Sequence, residues 1–95
     1  MILVRDVFQL HFGKAKEALA LQAEGHELEH ESGYNVTRVL TDLTGPYYTL
    51  VIESTFENLA AFEQATRFSP RWQDWYAKFL PLVREGRREI FRIVE

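Results

Sequence analysis

The residues best equipped for chemistry in this chain fall in one short stretch, His26-Glu27-Leu28-Glu29-His30. It spells H-E-x-x-H. Two histidines four residues apart share a helix face and can reach one zinc ion, with the glutamate as base. The surroundings argue against a metalloprotease. The chain is short, no H-x-x-G-x-x-H extension follows, and a third ligand is not apparent, so no metal is assigned. What remains is an imidazole whose ordinary pKa of about 6.5 suits proton transfer near neutrality. At about 100° per residue, Ala15, Ala18, Leu21, Gly25 and Leu28 form one apolar arc. Gln22 and Glu29 fall inside that arc, and His26 lies at its edge. Polar groups facing a core need partners. The expectation is a polar pocket between this helix and a sheet, with Asp6 pointing into the same space. The competing reading is a solvated last turn. His26 is assigned as general base, taking a proton from an acidic carbon or a phenol. Asp6, Gln22, Glu29 and His30 are assigned to ligand binding. Trp72 and Tyr76 are assigned as walls of the cleft, although their helical spacing also suits plain core packing.

Other chemistry finds little support. The chain has no cysteine, which removes disulfides and thiolate sites. No glycine-rich phosphate loop occurs, and Ser32, Ser54 and Ser69 read as caps or punctuation. Arg84, Arg87, Arg88 and Arg92 read as a charge-blunted edge strand. No cofactor is assigned. The 95 residues make one domain, 1–95, with a net charge of −3. That charge argues against general nucleic-acid binding. No apolar run approaches membrane-spanning length, and Met1-Ile2-Leu3-Val4 meets Arg5 and Asp6 with no signal-peptide core, so a cytoplasmic location is expected.

The elements that must position these residues follow from periodicity. Ile2–Phe12 alternates as a strand, interrupted by Asp6. Lys14 to about Glu31 is rich in helix formers and stops at Ser32-Gly33. Tyr34–Thr44 and Tyr47–Phe56 read as a hairpin across Gly45-Pro46. Ser54 and Glu57 have capping-box spacing for a second helix. That helix breaks at Phe68-Ser69-Pro70, where Ser69 and Pro70 can start another. Trp72, Trp75, Tyr76, Phe79, Leu80 and Val83 continue an amphipathic stripe, which Pro81 and Gly86 end. Arg87–Glu95 is the last strand. The order β-α-β-β-α-β predicts an α+β, ferredoxin-like fold: a four-stranded antiparallel sheet with two helices on one face.

Two helices cover only one sheet face. The other parity holds Leu3, Val7, Val39, Leu43 and Val51, and the last strand has apolar residues on both parities. A patch of that size predicts a homodimer through the sheet face.

The chain resembles the dimeric α/β-barrel superfamily, and within it the NIPSNAP family, over nearly its whole length. The resemblance is carried by Ser69-Pro70-Arg71-Trp72, Trp75, Lys78 and Pro81-Leu82, set against the family's Asp-Pro-x-Trp helix start and later Pro-Leu. The first strand, leading into Gly13-Lys14, also fits. Where the family often shows Glu-x-Arg-x-Tyr-x-Leu, this chain has Val4, Asp6, Phe8 and Leu10. The resemblance implies a small-molecule binding protein or a cofactor-free enzyme of monooxygenase or isomerase type. The alternative is a non-catalytic dimeric interaction or stress-related module. Haem binding, known among relatives, lacks a convincing axial ligand here.

Overall fold

A computed structural model describes residues 1–67 and 69–94. Phe68, in the expected helix break, and Glu95, at the end of the expected last strand, lie outside the described residues. The elements are β1 (Ile2–Leu10), α1 (Ala15–Glu31), β2 (Asn35–Thr41), β3 (Thr49–Phe56), α2 (Leu59–Ala65), α3 (Pro70–Phe79) and β4 (Val83–Arg92). The strands form one sheet in the order β2-β3-β1-β4, with every neighbouring pair antiparallel. This is the expected α+β, ferredoxin-like arrangement, with the second helical region divided in two.

Local chemistry explains each boundary. At the end of α1, Gly33 takes φ 88°, a left-handed conformation that costs glycine little. The Gly33 amide donates to His30 O at 3.1 Å and the Tyr34 amide to Glu29 O at 2.8 Å. These two bonds are the Schellman closure of a helix. They also bring Tyr34 back beside Glu29. Asn58 caps α2, its side chain accepting from the Ala61 amide at 2.9 Å. The expected Ser54–Glu57 box does not form, because Ser54 is buried within β3, paired with Val4 and Val36. Ser69 caps α3, accepting from the Trp72 amide at 3.3 Å with Pro70 in the first turn. That helix ends at Phe79, a 3₁₀ turn spans Leu80–Leu82, and β4 begins at Val83. Gly86 is therefore a strand residue rather than a helix stop. It faces the Phe8 ring, which a Cβ there would approach to 3.0 Å.

Ile2, Val4, Phe8 and Leu10 face the helices, and the core they help build is divided. One cluster joins Leu10, Ala18, Leu28, Leu50, Trp72, Trp75, Phe79 and Leu82. The other joins Val4, Tyr34, Phe56, Phe62 and Ala65. Asp6 sits on the same strand parity between them, at the point where the apolar sequence of β1 is interrupted.

The helix-free face departs from the expected apolar patch. A bulge between Val36 and Arg38 shifts β2 so that Val39 pairs with Ile52, on the helix side, while Leu40 pairs with Val51 on the free side. Leu43 lies in the β2–β3 turn, fully exposed, and Ile93 and Val94 lie beyond β4. Leu3, Val7 and Val51 do stand on the free face, and Val7 is buried there. Between them runs a chain of ion pairs across all four strands. Arg38 meets Glu53 at 2.6 Å, Glu53 meets Arg5 at 2.8 Å, and Arg5 meets Glu89 at 3.7 Å. The Arg5 guanidinium also lies 5.3 Å from the Phe91 ring centre. Burial pushes the Glu53 carboxyl up, but the hydrogen bonds from Arg38 and Arg5 outweigh it and hold the group below the ordinary carboxylate range.

Candidate functional site

Where the two core clusters meet, the helices and the sheet enclose a cavity of about 310 Å³. That is near the lower end of small-molecule sites, roughly 300–1,000 Å³. Its walls are largely aromatic: Phe8 from β1, Tyr34 after α1, and Trp72, Trp75, Tyr76 and Phe79 from α3. Ile52 and Thr66 complete the apolar lining, and Asp6, Glu29 and Arg88 supply the charges. The rings brace one another. Trp72 stacks on Trp75 at 5.3 Å, Trp75 on Phe79 at 5.1 Å, and Tyr34 on Trp72 at 6.0 Å.

Two positions hold this wall in place. The Trp75 indole N–H donates to Leu21 O at 2.6 Å, tying α3 to α1. The ring lies so close to α1 that a Cβ on Gly25 would stand 2.8 Å from it. Glycine in mid-helix costs up to about 1 kcal/mol relative to alanine, and close packing of the indole is the reason it is found here.

The polar end is built from three elements. Asp6 and Arg88 face each other across β1 and β4 in register. The Arg88 Nε donates to Asp6 Oδ1 at 2.6 Å, and the guanidinium also stands 5.0 Å from the Phe62 ring centre. Burial lowers the Arg88 pKa, but the bond to Asp6 outweighs this and the net shift is upward. Glu29, on α1, is 3% exposed, and its Oε2 has no hydrogen-bond partner among the described residues. Burial pushes this carboxyl up to about 7, with the Gln22 amide pulling the other way. Burial likewise pushes the Tyr34 hydroxyl up to about 12, with Arg88 opposing and Asp6, Glu29 and Tyr76 adding to the rise. Arg88, Asp6, Glu29 and Tyr76 thus all act on the Tyr34 hydroxyl.

Set against the sequence assignments, Asp6, Glu29, Trp72 and Tyr76 line the cavity. Gln22 is half-buried and touches the site through Glu29. His26 is exposed and lies instead in a surface groove between α1 and β2, with Val36, Arg38 and Val39. His30 is exposed in a further shallow groove beside Glu27 and Glu31. Neither histidine lines the aromatic cavity. Among the described residues, no group of three or more His, Asp or Glu side chains is placed to hold a metal ion. No helix among them is long and apolar enough to cross a membrane.

Sequence reading missed Arg88 and Tyr34. A signal existed for each. An aspartate on the core parity of β1 calls for a cation on a neighbouring strand. A Gly33 closure, in turn, packs the residue after it against the last turn of the helix.

No family model matches this sequence, and no curated protein is significantly similar to it in sequence. Solved structures are similar in fold. An uncharacterised NIPSNAP domain protein from Burkholderia xenovorans superposes with a TM-score of 0.86 at 17% identity, over 99% of this chain and 95% of that one. A NIPSNAP family protein from Agrobacterium tumefaciens gives a TM-score of 0.90 at 18% identity, over 99% and 93%. A putative antibiotic biosynthesis monooxygenase from Nitrosomonas europaea gives 0.80 at 11% identity, over the full length of both. At these identities the likeness speaks for the fold, and not for a reaction. The chain therefore has the ferredoxin-like fold seen in NIPSNAP proteins and in the antibiotic biosynthesis monooxygenases.

Proposed function

We propose that this chain binds a small organic molecule in the aromatic cavity and that Glu29 exchanges a proton with it. The observation that carries this reading is Glu29, a buried residue of the cavity lining whose Oε2 is unpartnered among the described residues. A carboxyl pushed up to about 7 is divided between acid and base near neutral pH, which is where general acid–base work is most effective. A proton removed from carbon, oxygen or nitrogen of a ligand begins cofactor-free oxygenations and isomerisations alike. A protein described as a putative antibiotic biosynthesis monooxygenase has the same fold, so chemistry of that class is compatible with this architecture. Glu29 takes the role that sequence alone gave to His26, because it lines the cavity and His26 does not.

The test is calorimetric. Indole, 2-naphthol and 2-phenylethylamine are titrated into the protein at pH 7 in buffers of different ionisation enthalpy. At least one should bind with buffer-dependent heat, the mark of a proton gained or lost. Glu29→Gln should remove the buffer dependence and His26→Ala should leave it. Failure of all three compounds to bind, or proton exchange that survives Glu29→Gln, overturns the reading.

The same proposal includes a second copy of the chain as partner, seated on the helix-free sheet face. Leu3, Val7, Leu40, Val51 and Phe91 give that face its apolar content. The alternating charges of Arg38, Glu53, Arg5 and Glu89 make it self-complementary under a two-fold axis. Light scattering should give twice the chain mass at micromolar concentration. Val7→Glu or Val51→Lys should lower it, and a folded monomeric wild type would exclude the dimer.

A further inference from the structure

The charges around the cavity do not cancel. Asp6 and Arg88 neutralise each other at 2.6 Å, which leaves Glu29 with no cation beside it among the described residues. With Glu29 ionised, the lining carries one net negative charge, from Asp6, Glu29 and Arg88 taken together. The groups facing Glu29 from the neighbouring elements are Gln22 on its own helix, Tyr34 after it, Tyr76 on α3, and the Asp6–Arg88 pair on the sheet. None of them neutralises it. Around this carboxylate stand the rings of Tyr34, Trp72, Trp75 and Tyr76. Aromatic faces carry the negative end of a quadrupole and attract cations, and tryptophan does so best. An anionic ligand meets repulsion from Glu29 and finds the Arg88 Nε already committed to Asp6. A neutral ligand without a donor leaves Oε2 unsatisfied, at a cost typical of buried polar groups.

We infer that the ligand of this cavity is a small organic cation, a protonated amine on an apolar body. Its ammonium group pairs with Glu29 and its carbon frame lies among the rings. This rests on the cavity being a ligand site, and it adds the charge class. A protonated amine pairs with the ionised carboxylate, so its binding releases the Glu29 proton to solvent, and affinity rises with pH as Glu29 ionises.

Three probes of similar shape separate the classes: 2-phenylethylamine, 2-phenylethanol and 3-phenylpropionate. Binding is followed by tryptophan fluorescence, since Trp72 and Trp75 line the site, and checked by calorimetry. The amine should bind at least tenfold tighter than the alcohol at pH 8. Its affinity should fall several-fold at pH 6, while that of the alcohol should not fall. Glu29→Gln should abolish the preference but still bind the alcohol, which shows that the variant is folded and the cavity intact. An alcohol that equals the amine, or a carboxylate that binds tightest, overturns the inference and leaves the cavity reading standing. Failure of all three to bind removes both.

Discussion

Glu29 and Glu53 are the same residue type, almost equally hidden, on opposite sides of one sheet. Glu53 is 1% exposed and is gripped by Arg38 and Arg5 at 2.6 and 2.8 Å. Glu29 is 3% exposed and keeps an oxygen with no partner among the described residues. Both are desolvated, yet their proton affinities move in opposite directions. Burial sets the cost of the charge, and the partners decide whether that cost is met. Glu53 is consumed by structure, tying three strands together. Glu29 has only the Gln22 amide to set against its burial, and one of its oxygens is left over, which is why the proposed chemistry is placed there.

The contrast has measurable consequences. The largest concerns pH. Glu29 holds its proton more tightly folded, at about 7 against an ordinary 4.5. Its contribution to stability is complete below pH 4.5 and is lost as pH rises through about 7, a change of roughly 3 kcal/mol. Urea denaturation should show that decline, and Glu29→Gln should flatten it. Glu53 has the opposite sign. Its contribution is present above its ordinary 4.5 and is lost as pH falls through its lowered folded value, so Glu53→Gln should blunt acid denaturation specifically.

Next in size is removal of both Glu53 partners. The double change Arg5→Met with Arg38→Met leaves a buried carboxylate alone and should cost about 2–3 kcal/mol. That is less than a fully buried pair would cost, because Arg38 stands largely in water. The Glu53 resonance should then titrate upward by NMR, towards the behaviour of Glu29. On the cavity side, Gly25→Ala pushes a methyl against the Trp75 ring. Overpacking should outweigh the gain in helix propensity and leave a net loss of about 1–2 kcal/mol, with altered tryptophan fluorescence. The smallest effect expected is Ser69→Ala, which removes the α3 cap at about 1 kcal/mol and should leave the Glu29 titration unchanged.

Much of this was legible beforehand. Alternating residues in β1, the Gly33 stop and the Ser69-Pro70 start mark element boundaries through local forces alone, and the order of elements then limits the fold. Asp6 and Glu29 were legible as polar residues on core-facing positions. Two positions show where such reading runs out. Val39 was placed by strict alternation on the free face, but the bulge at Val36–Arg38 adds a residue and moves it to the other side, and nothing in the composition of β2 announces a bulge. His26 lies a few tens of degrees from the buried arc of α1, within the error of an ideal wheel, so its exposure depended on how α1 seats against β2.

Sequence alone determined which segments are helix and strand, and it put Asp6 and Glu29 on core-facing positions, because those follow from period, caps and side-chain volume; the burial of Glu53 had no such signal. It could not tell that Glu53 would find two arginines and Glu29 none. Arg38 and Arg5 reach Glu53 from strands β2 and β1, and Arg88 reaches Asp6 instead of Glu29 because β1 and β4 set that register. Partners so far apart in sequence meet only through strand register and helix placement. Tertiary structure therefore decided which of two similar residues became an ion pair and which kept an oxygen without a partner among the described residues.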